Sequence, residues 1–181
     1  IYKPKSKERQ SKIINQYFHD SMEKSNKIFL IGEDIKDPYG GAFKITKGLS
    51  TKFPNRVFSS PISEAAITGM SIGLAVGGFK PFVEIMFGDF LTLCSDQIIN
   101  HAAKFRDMYN KKILCPIVIR TPMGGGRGYG PTHSQSIENL FMGIYSIKII
   151  ALNIYHDPYQ TMQLIEKENF PIILIENKKD Y

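Results

Sequence analysis

Three side chains stand where their types could do chemistry: Glu64 in PISEAAITGM, Phe90 in MFGDF and His133 in GGGRGYGPTHSQS. Glu64 follows Ser63, a candidate helix N-cap, where an exposed carboxylate would only complement the helix dipole. Its neighbours Ile62, Ala65, Ala66 and Ile67 offer no cation, so buried there it is placed to share a proton with a ligand nitrogen. His133, between Thr132 and Ser134-Gln135, has the imidazole of a proton carrier, although a lone loop histidine is more often merely solvated or hydrogen-bonded. No Lys-Ser or Lys-Thr follows Gly130, and no helix opens at once after the glycines, so neither the P-loop nor the dinucleotide fingerprint is present. His19, His101, His133 and His156 show no HxxxH or HExxH spacing that would bind zinc. Cys94 and Cys115 form no CxxC pair and lie in apolar stretches, which reads as buried, reduced thiols.

Such residues need elements to hold them. Residues 6–24 carry Ile13, Ile14, Tyr17, Phe18 and Met22 at helical spacing, and KIFLIGEDI at 27–35 reads as a buried strand ending in Glu33 and Asp34. RVFSS gives a short strand. PISEAAITGMSIGLAVGG gives a helix from Ser63 to Gly77-Gly78 that looks buried nearly all round, and PFVEIMF the next strand. FLTLCSDQIINHAAKFRDMY predicts one long helix with Leu91, Ile98, Ala102 and Phe105 near one face. LCPIVIR is a strand and TPMGGGRGYGPTHSQS a long loop, of a length that in a compact domain commonly shapes a site. IENLFMGIY predicts a short helix, and SIKIIAL, HDPYQTMQLIEKEN and PIILIEN close as strand, helix, strand. Alternation of strands and helices predicts an α/β domain with a parallel sheet and helices on both faces. Ligands of such sheets bind beyond the carboxyl ends of the strands, which picks out Glu33, Glu64, Met86 with Gly88-Asp89-Phe90, and the 121–136 loop with Arg127 and His133.

Composition narrows the function classes. At 181 residues, 43% hydrophobic and 22% charged, the chain suits one globular domain and excludes disordered and collagen-like classes. The apolar stretch 67–83 is broken by Thr68, Ser71 and Lys80, so no membrane span is expected, and the charged start IYKPKSKERQ predicts no signal peptide. Five of the six excess positive charges lie at the two ends, among Lys3, Lys5, Lys7, Arg9 and Lys12 and in the Lys178-Lys179 pair, so the interior is near neutral and nucleic-acid binding is not expected. A cytoplasmic protein is expected, or a mitochondrial or plastid one in a eukaryote.

Taken together, ISEAAI, VEIMFGDFLTLCSDQIINHAAKFRDMY, IVIRTPMGGGRGYGPTHSQS and IILIEN resemble the pyrimidine-binding domain of the beta subunit of thiamine-diphosphate-dependent 2-oxo acid dehydrogenases. These are the decarboxylating first components of the pyruvate, branched-chain 2-oxo acid and acetoin dehydrogenase complexes. The resemblance implies a three-layer α/β sandwich over residues 1–181, the N-terminal half of a beta subunit whose C-terminal transketolase-like domain this chain lacks. It implies that Glu64 hydrogen-bonds the aminopyrimidine of thiamine diphosphate and favours its imino form, that Phe90 stacks on that ring, and that Met86 walls the pocket. By the same resemblance His133 handles substrate or the acyl group passed to lipoamide. A potassium ion is implied at Ile117, Ile165, Glu166, Glu168 and Phe170, mostly through backbone carbonyls. Nothing matches the GDG-plus-asparagine motif that holds magnesium and the diphosphate, which the family places on an alpha subunit. The implied partners are therefore that alpha subunit in an α2β2 heterotetramer, the lipoyl-bearing acyltransferase and a 2-oxo acid. The segment MGIYSIKIIALNIYHDPYQTM lacks the prolines and glycine that family members carry around that strand. Two other readings remain open: a transketolase-like or deoxyxylulose-phosphate-synthase-like ketol transferase, and a non-catalytic assembly module.

Overall fold

The computed structural model describes residues 8–181, so Lys3, Lys5 and Lys7 lie outside the described residues. Its strands are β1 (Ile28–Gly32), β2 (Val57–Ser59), β3 (Lys80–Glu84), β4 (Val118–Met123), β5 (Lys148–Ala151) and β6 (Ile172–Asn177). Every strand pairing is parallel, in the order β2-β1-β3-β4-β6-β5. The four inner strands are rich in apolar residues on both faces because both faces are covered. Successive side chains feed opposite cores. Leu30, Phe82, Val118 and Leu174 meet Ile14, Tyr17, Phe18 and Met22 of α1 (Gln10–Lys24) and Met162 and Ile165 of α5 (Pro158–Lys167). Ile31, Val83, Ile119 and Ile173 meet Ile67, Ile72 and Ala75 of α3 (Glu64–Val76), with Leu91, Cys94 and Ile98. This is the expected three-layer α/β arrangement, and no helix among the described residues is long and apolar enough to cross a membrane.

Three local expectations are corrected. The long helix is broken into a 3₁₀ segment (Gly88–Cys94), a π segment (Gln97–Ala102) and a short α4 (Phe105–Met108). Weak helix formers fill its first half, and the hydroxyls of Thr92 and Ser95 donate to the carbonyls of Asp89 and Thr92 at 3.1 and 2.7 Å, competing with regular helix bonds. The segment 137–145 forms only a 3₁₀ turn, Glu138–Leu140, before Gly143 takes a φ of 96°. Helix α3 is not buried all round: Glu64, Ile67, Thr68, Ser71, Ile72 and Ala75 face inward, while Ala66, Met70 and Val76 are bare. One short helix was not anticipated, α2 (Leu49–Lys52), which follows the loop pinned by Asp37. There the Asp37 carboxylate accepts from the Gly48 and Thr51 amides and the Ser50 and Thr51 hydroxyls at 2.7–3.0 Å.

A buried ion cluster ties the carboxyl ends of the central strands. Arg120 on β4 donates in a fork to Glu176 on β6 at 3.0 and 2.6 Å, and its remaining nitrogen donates to Glu84 on β3. The Tyr181 hydroxyl also donates to Glu176. Arg120 is 1% exposed and Glu176 fully buried, so neither charge can fall back on water. Burial pushes the Glu84 carboxyl above its ordinary range, against the pull of Arg120. Arg120→Met is expected to lower the unfolding free energy by about 3–5 kcal/mol in urea titration, because two buried carboxylates lose their counter-charge. Replacing all three charges with Leu or Met should recover part of that loss.

Candidate functional site

The sheet order reverses between β1 and β3, so a crevice opens beyond their carboxyl ends. Gly32 lets the two strands close there: a Cβ on it would lie 2.9 Å from the Glu84 carbonyl oxygen. The next residue, Glu33, is 8% exposed and accepts a hydrogen bond from the Ser63 amide at 3.2 Å. Burial first, and the charge of Glu64 second, raise the Glu33 carboxyl above its ordinary range. Two carboxylates thus share the mouth of the crevice.

Glu64 is the first residue of α3 and is 7% exposed. Ser63 occupies the N-cap position as expected, but its side chain makes no capping bond. Among the described residues no side chain donates to the Glu64 carboxylate, while its backbone carbonyl accepts from the Cys94 thiol at 3.6 Å. That contact seats the 3₁₀ segment carrying Phe90 against the start of α3. Both cysteines are buried free thiols, raised by burial to about 12 at Cys94 and about 11 at Cys115, which leaves them protonated and inert.

Phe90 and His133, 43 positions apart in the chain, come together. The His133 ring stands edge-on to Phe87 at 4.8 Å and to Phe90 at 5.3 Å, and its Nδ1 lies 2.8 Å from the Thr132 hydroxyl. The loop reaches this position through Gly124, Gly126, Gly128 and Gly130, whose φ values of 77–92° exclude ordinary side chains. Two further bonds anchor it. Gln135 donates to Asp89 Oδ1 at 2.8 Å, and the fully buried Lys178 donates to the His133 carbonyl with its ammonium 5.1 Å from the Phe87 ring. Asp89 Oδ2 is buried without a partner. Met86 is half-buried at the exit of β3, as a pocket wall would be, and Arg127 donates to the Lys178 carbonyl at 3.0 Å.

Reasoning from the sequence named Asp89 without a role and missed Phe87 and Lys178. Lys178 directly follows β6, so the strand-end rule, applied to the last strand as to the others, would have found it. Ile117, Ile165, Glu166, Glu168 and Phe170 lie at the opposite, amino end of the sheet, where Lys80 also begins β3. Among the described residues no three His, Cys, Asp or Glu side chains are placed to hold a metal ion.

One wall of the crevice is open. Beside Glu64 the apolar side chains of Phe58, Ala66 and Met70 bound a groove of about 500 Å³, and Ile62 nearby is 86% exposed. A buried acid beyond the strand ends beside a bare apolar groove marks the switch point of an α/β domain, where ligands of such sheets bind.

Residues 8–181 match the family described as the transketolase pyrimidine-binding domain, and the chain belongs to that family. It is 37% identical over 180 residues to the beta subunit of the acetoin:2,6-dichlorophenolindophenol oxidoreductase of Cupriavidus necator. It is also 37% identical over 169 residues to the 2-oxoisovalerate dehydrogenase subunit beta of Bacillus subtilis, and 36% identical over 169 residues to the mitochondrial pyruvate dehydrogenase E1 component subunit beta-1 of Arabidopsis thaliana. Each alignment covers 93% of this chain and 46–52% of the relative, so the chain spans about half the length of the curated relatives it matches. Among solved structures, a split-gene transketolase described as an inactive beta4 tetramer shares the fold at a TM-score of 0.73 and 17% identity, over 94% of this chain and 52% of that one.

The carboxylate pair yields a pH prediction. A raised Glu33 pKa means that the ionised form destabilises the fold, above the folded pKa most of all. Glu33→Gln should therefore melt higher than the parent at pH 7, and the gap should close as pH falls through the folded value toward the ordinary carboxylate range. Thermal melts across pH 4–8 check this; a gap that widened on acidification would oppose it.

Proposed function

We propose that this chain is the pyrimidine-binding half of the beta subunit of a thiamine-diphosphate-dependent 2-oxo acid dehydrogenase, which oxidatively decarboxylates a 2-oxo acid and passes the acyl group to a lipoyl carrier. The observation that carries the reading is the buried Glu64 carboxylate, which no side chain among the described residues pairs, at the open wall of the crevice. A nearly buried carboxylate with no donor side chain suits a protonated ring nitrogen, and the flat face of half-buried Phe90 suits a heteroaromatic ring. Those two features fit the pyrimidine end of the cofactor. When bound, thiamine diphosphate supplies the electron sink for decarboxylation.

The chain's own residues have separate tasks. Glu64 holds a proton at the ring nitrogen, with Glu33 beside it at the mouth of the crevice. Met86 and Phe90 wall the ring and keep water from it. His133, backed by Phe87 and Phe90 and held at Nδ1 by Thr132, presents Nε2 for proton exchange with the reacting group. In this reading the diphosphate and magnesium are held by the partner alpha subunit, as the resemblance implies. The bare face of Phe58, Ala66 and Met70, with exposed Ile62 beside it, seats that subunit in an α2β2 assembly. Similarity to dehydrogenase and oxidoreductase beta subunits supports the reading. The compartment is the cytoplasm, or an organelle in a eukaryote.

The test is 2-oxo acid-dependent reduction of an artificial electron acceptor by the full-length parent chain copurified with its partner, over pyruvate, three branched-chain 2-oxo acids and acetoin. Activity should require thiamine diphosphate and magnesium. Glu64→Ala should lower turnover about 100-fold or more with melting unchanged, the cost of losing a proton-transfer group. Silence across the panel with a stable partner bound would overturn the proposal in favour of ketol transfer or an assembly role.

A further inference from the structure

The corner at the amino end of the sheet, where resemblance implies potassium, is already filled by the chain itself. Lys80 is 7% exposed, and its ammonium donates to the Glu168 carbonyl at 2.8 Å. Glu168 caps the C-terminal end of α5, where unpaired carbonyls and the helix dipole favour a cation. Several of the implied residues already have partners. The Ile117 carbonyl accepts from the Ile172 amide at 2.9 Å and the Ile165 carbonyl from the Glu168 amide at 3.2 Å. The Glu166 carboxylate accepts from Tyr17 and Ser21 at 2.6 and 3.0 Å, and that of Glu168 pairs with Lys148 at 2.5 Å. Arg106 and Lys148 lie over the Phe170 ring at 4.5 and 5.2 Å. Three cationic side chains therefore gather where a fourth positive charge would have to enter.

We propose that Lys80 is a tethered cation that takes the place of a bound potassium ion at this corner, holding the end of α5 against the start of β3. An ammonium group and a bare potassium ion are close in size, and both are satisfied by carbonyl oxygens. A charge on the chain has no binding equilibrium, so this corner is insensitive to which salt surrounds it. The inference rests on the geometry of the corner and is independent of the catalytic reading.

The test measures melting of the full chain at pH 7 in potassium, sodium and N-methylglucamine chlorides at equal ionic strength. The parent should melt within about 1 °C in potassium and in sodium. A potassium-selective rise of about 3 °C or more would overturn the proposal, being the response of a protein that binds the ion. Lys80→Met should lower the melting temperature by about 5 °C or more, whereas Lys80→Arg, which keeps a cation, should stay much nearer the parent. A Lys80→Met chain that melts like the parent would overturn it. Should Lys80→Met fail to fold, the salt comparison on the parent and the behaviour of Lys80→Arg still decide: an arginine variant that falls as far as a neutral one counts against a tethered charge.

Discussion

The placement of Met86, Phe90 and His133 depends on the buried cluster in which Arg120 holds Glu84 and Glu176. Three adjacent strands contribute one charge each, and beyond those charges the chain leaves the sheet to build the site. From β3 it runs to Met86, Phe87 and Phe90; from β4 to the glycine loop and His133; from β6 to Lys178, which returns to the His133 carbonyl. Parallel strand ends are joined by slanted backbone bonds alone, which leaves the departing loops free to splay. A guanidinium fork between two carboxylates removes that freedom, because any shift strands a charge away from both partner and water.

The same principle recurs at both ends of the sheet. Buried lysines satisfy carbonyls that secondary structure leaves over: Lys178 at the loop carbonyl of His133, Lys80 at the last turn of α5. The opposite sign prevails at the crevice, where Glu33 and Glu64 stand together with no cation between them. Cations serve as internal struts, whereas the carboxylates at the crevice stand without one. Helix α3 joins the two themes, since one of its faces is packed in the core and the other is apolar and bare.

Much of this was legible in the sequence. Buried parallel strands announce themselves as short apolar runs, and KIFLIG, PFVE, PIVIR and PIILIE all became strands of the sheet. The start of α3 at Glu64 and the loop of glycines before His133 were readable for the same local reasons. Legibility failed where a local signal was shared between outcomes. The apolar spacing of Leu91, Cys94, Ile98 and Ala102 suits a regular helix as well as the 3₁₀ and π turns that formed, and serine and threonine side-chain bonds tipped the balance. An α3 apolar on every side reads as fully buried in a lone sequence, although half of that surface is open in this chain.

The sequence by itself determined the elements, their order, and which chemically capable residues fall just past strand ends, because propensity, capping and hydrophobic period act over a few neighbouring residues. Tertiary structure alone decided the partners: Arg120 with a glutamate 56 positions away, Lys80 with a carbonyl 88 positions away, and Glu33 beside Glu64 rather than beside a cation. The energy of a charge is set by what surrounds it in space. Whether a lysine is a solvated tip or a strut, and whether a glutamate caps a helix or waits for a ligand, depends on burial and on neighbours that only the folded chain assembles.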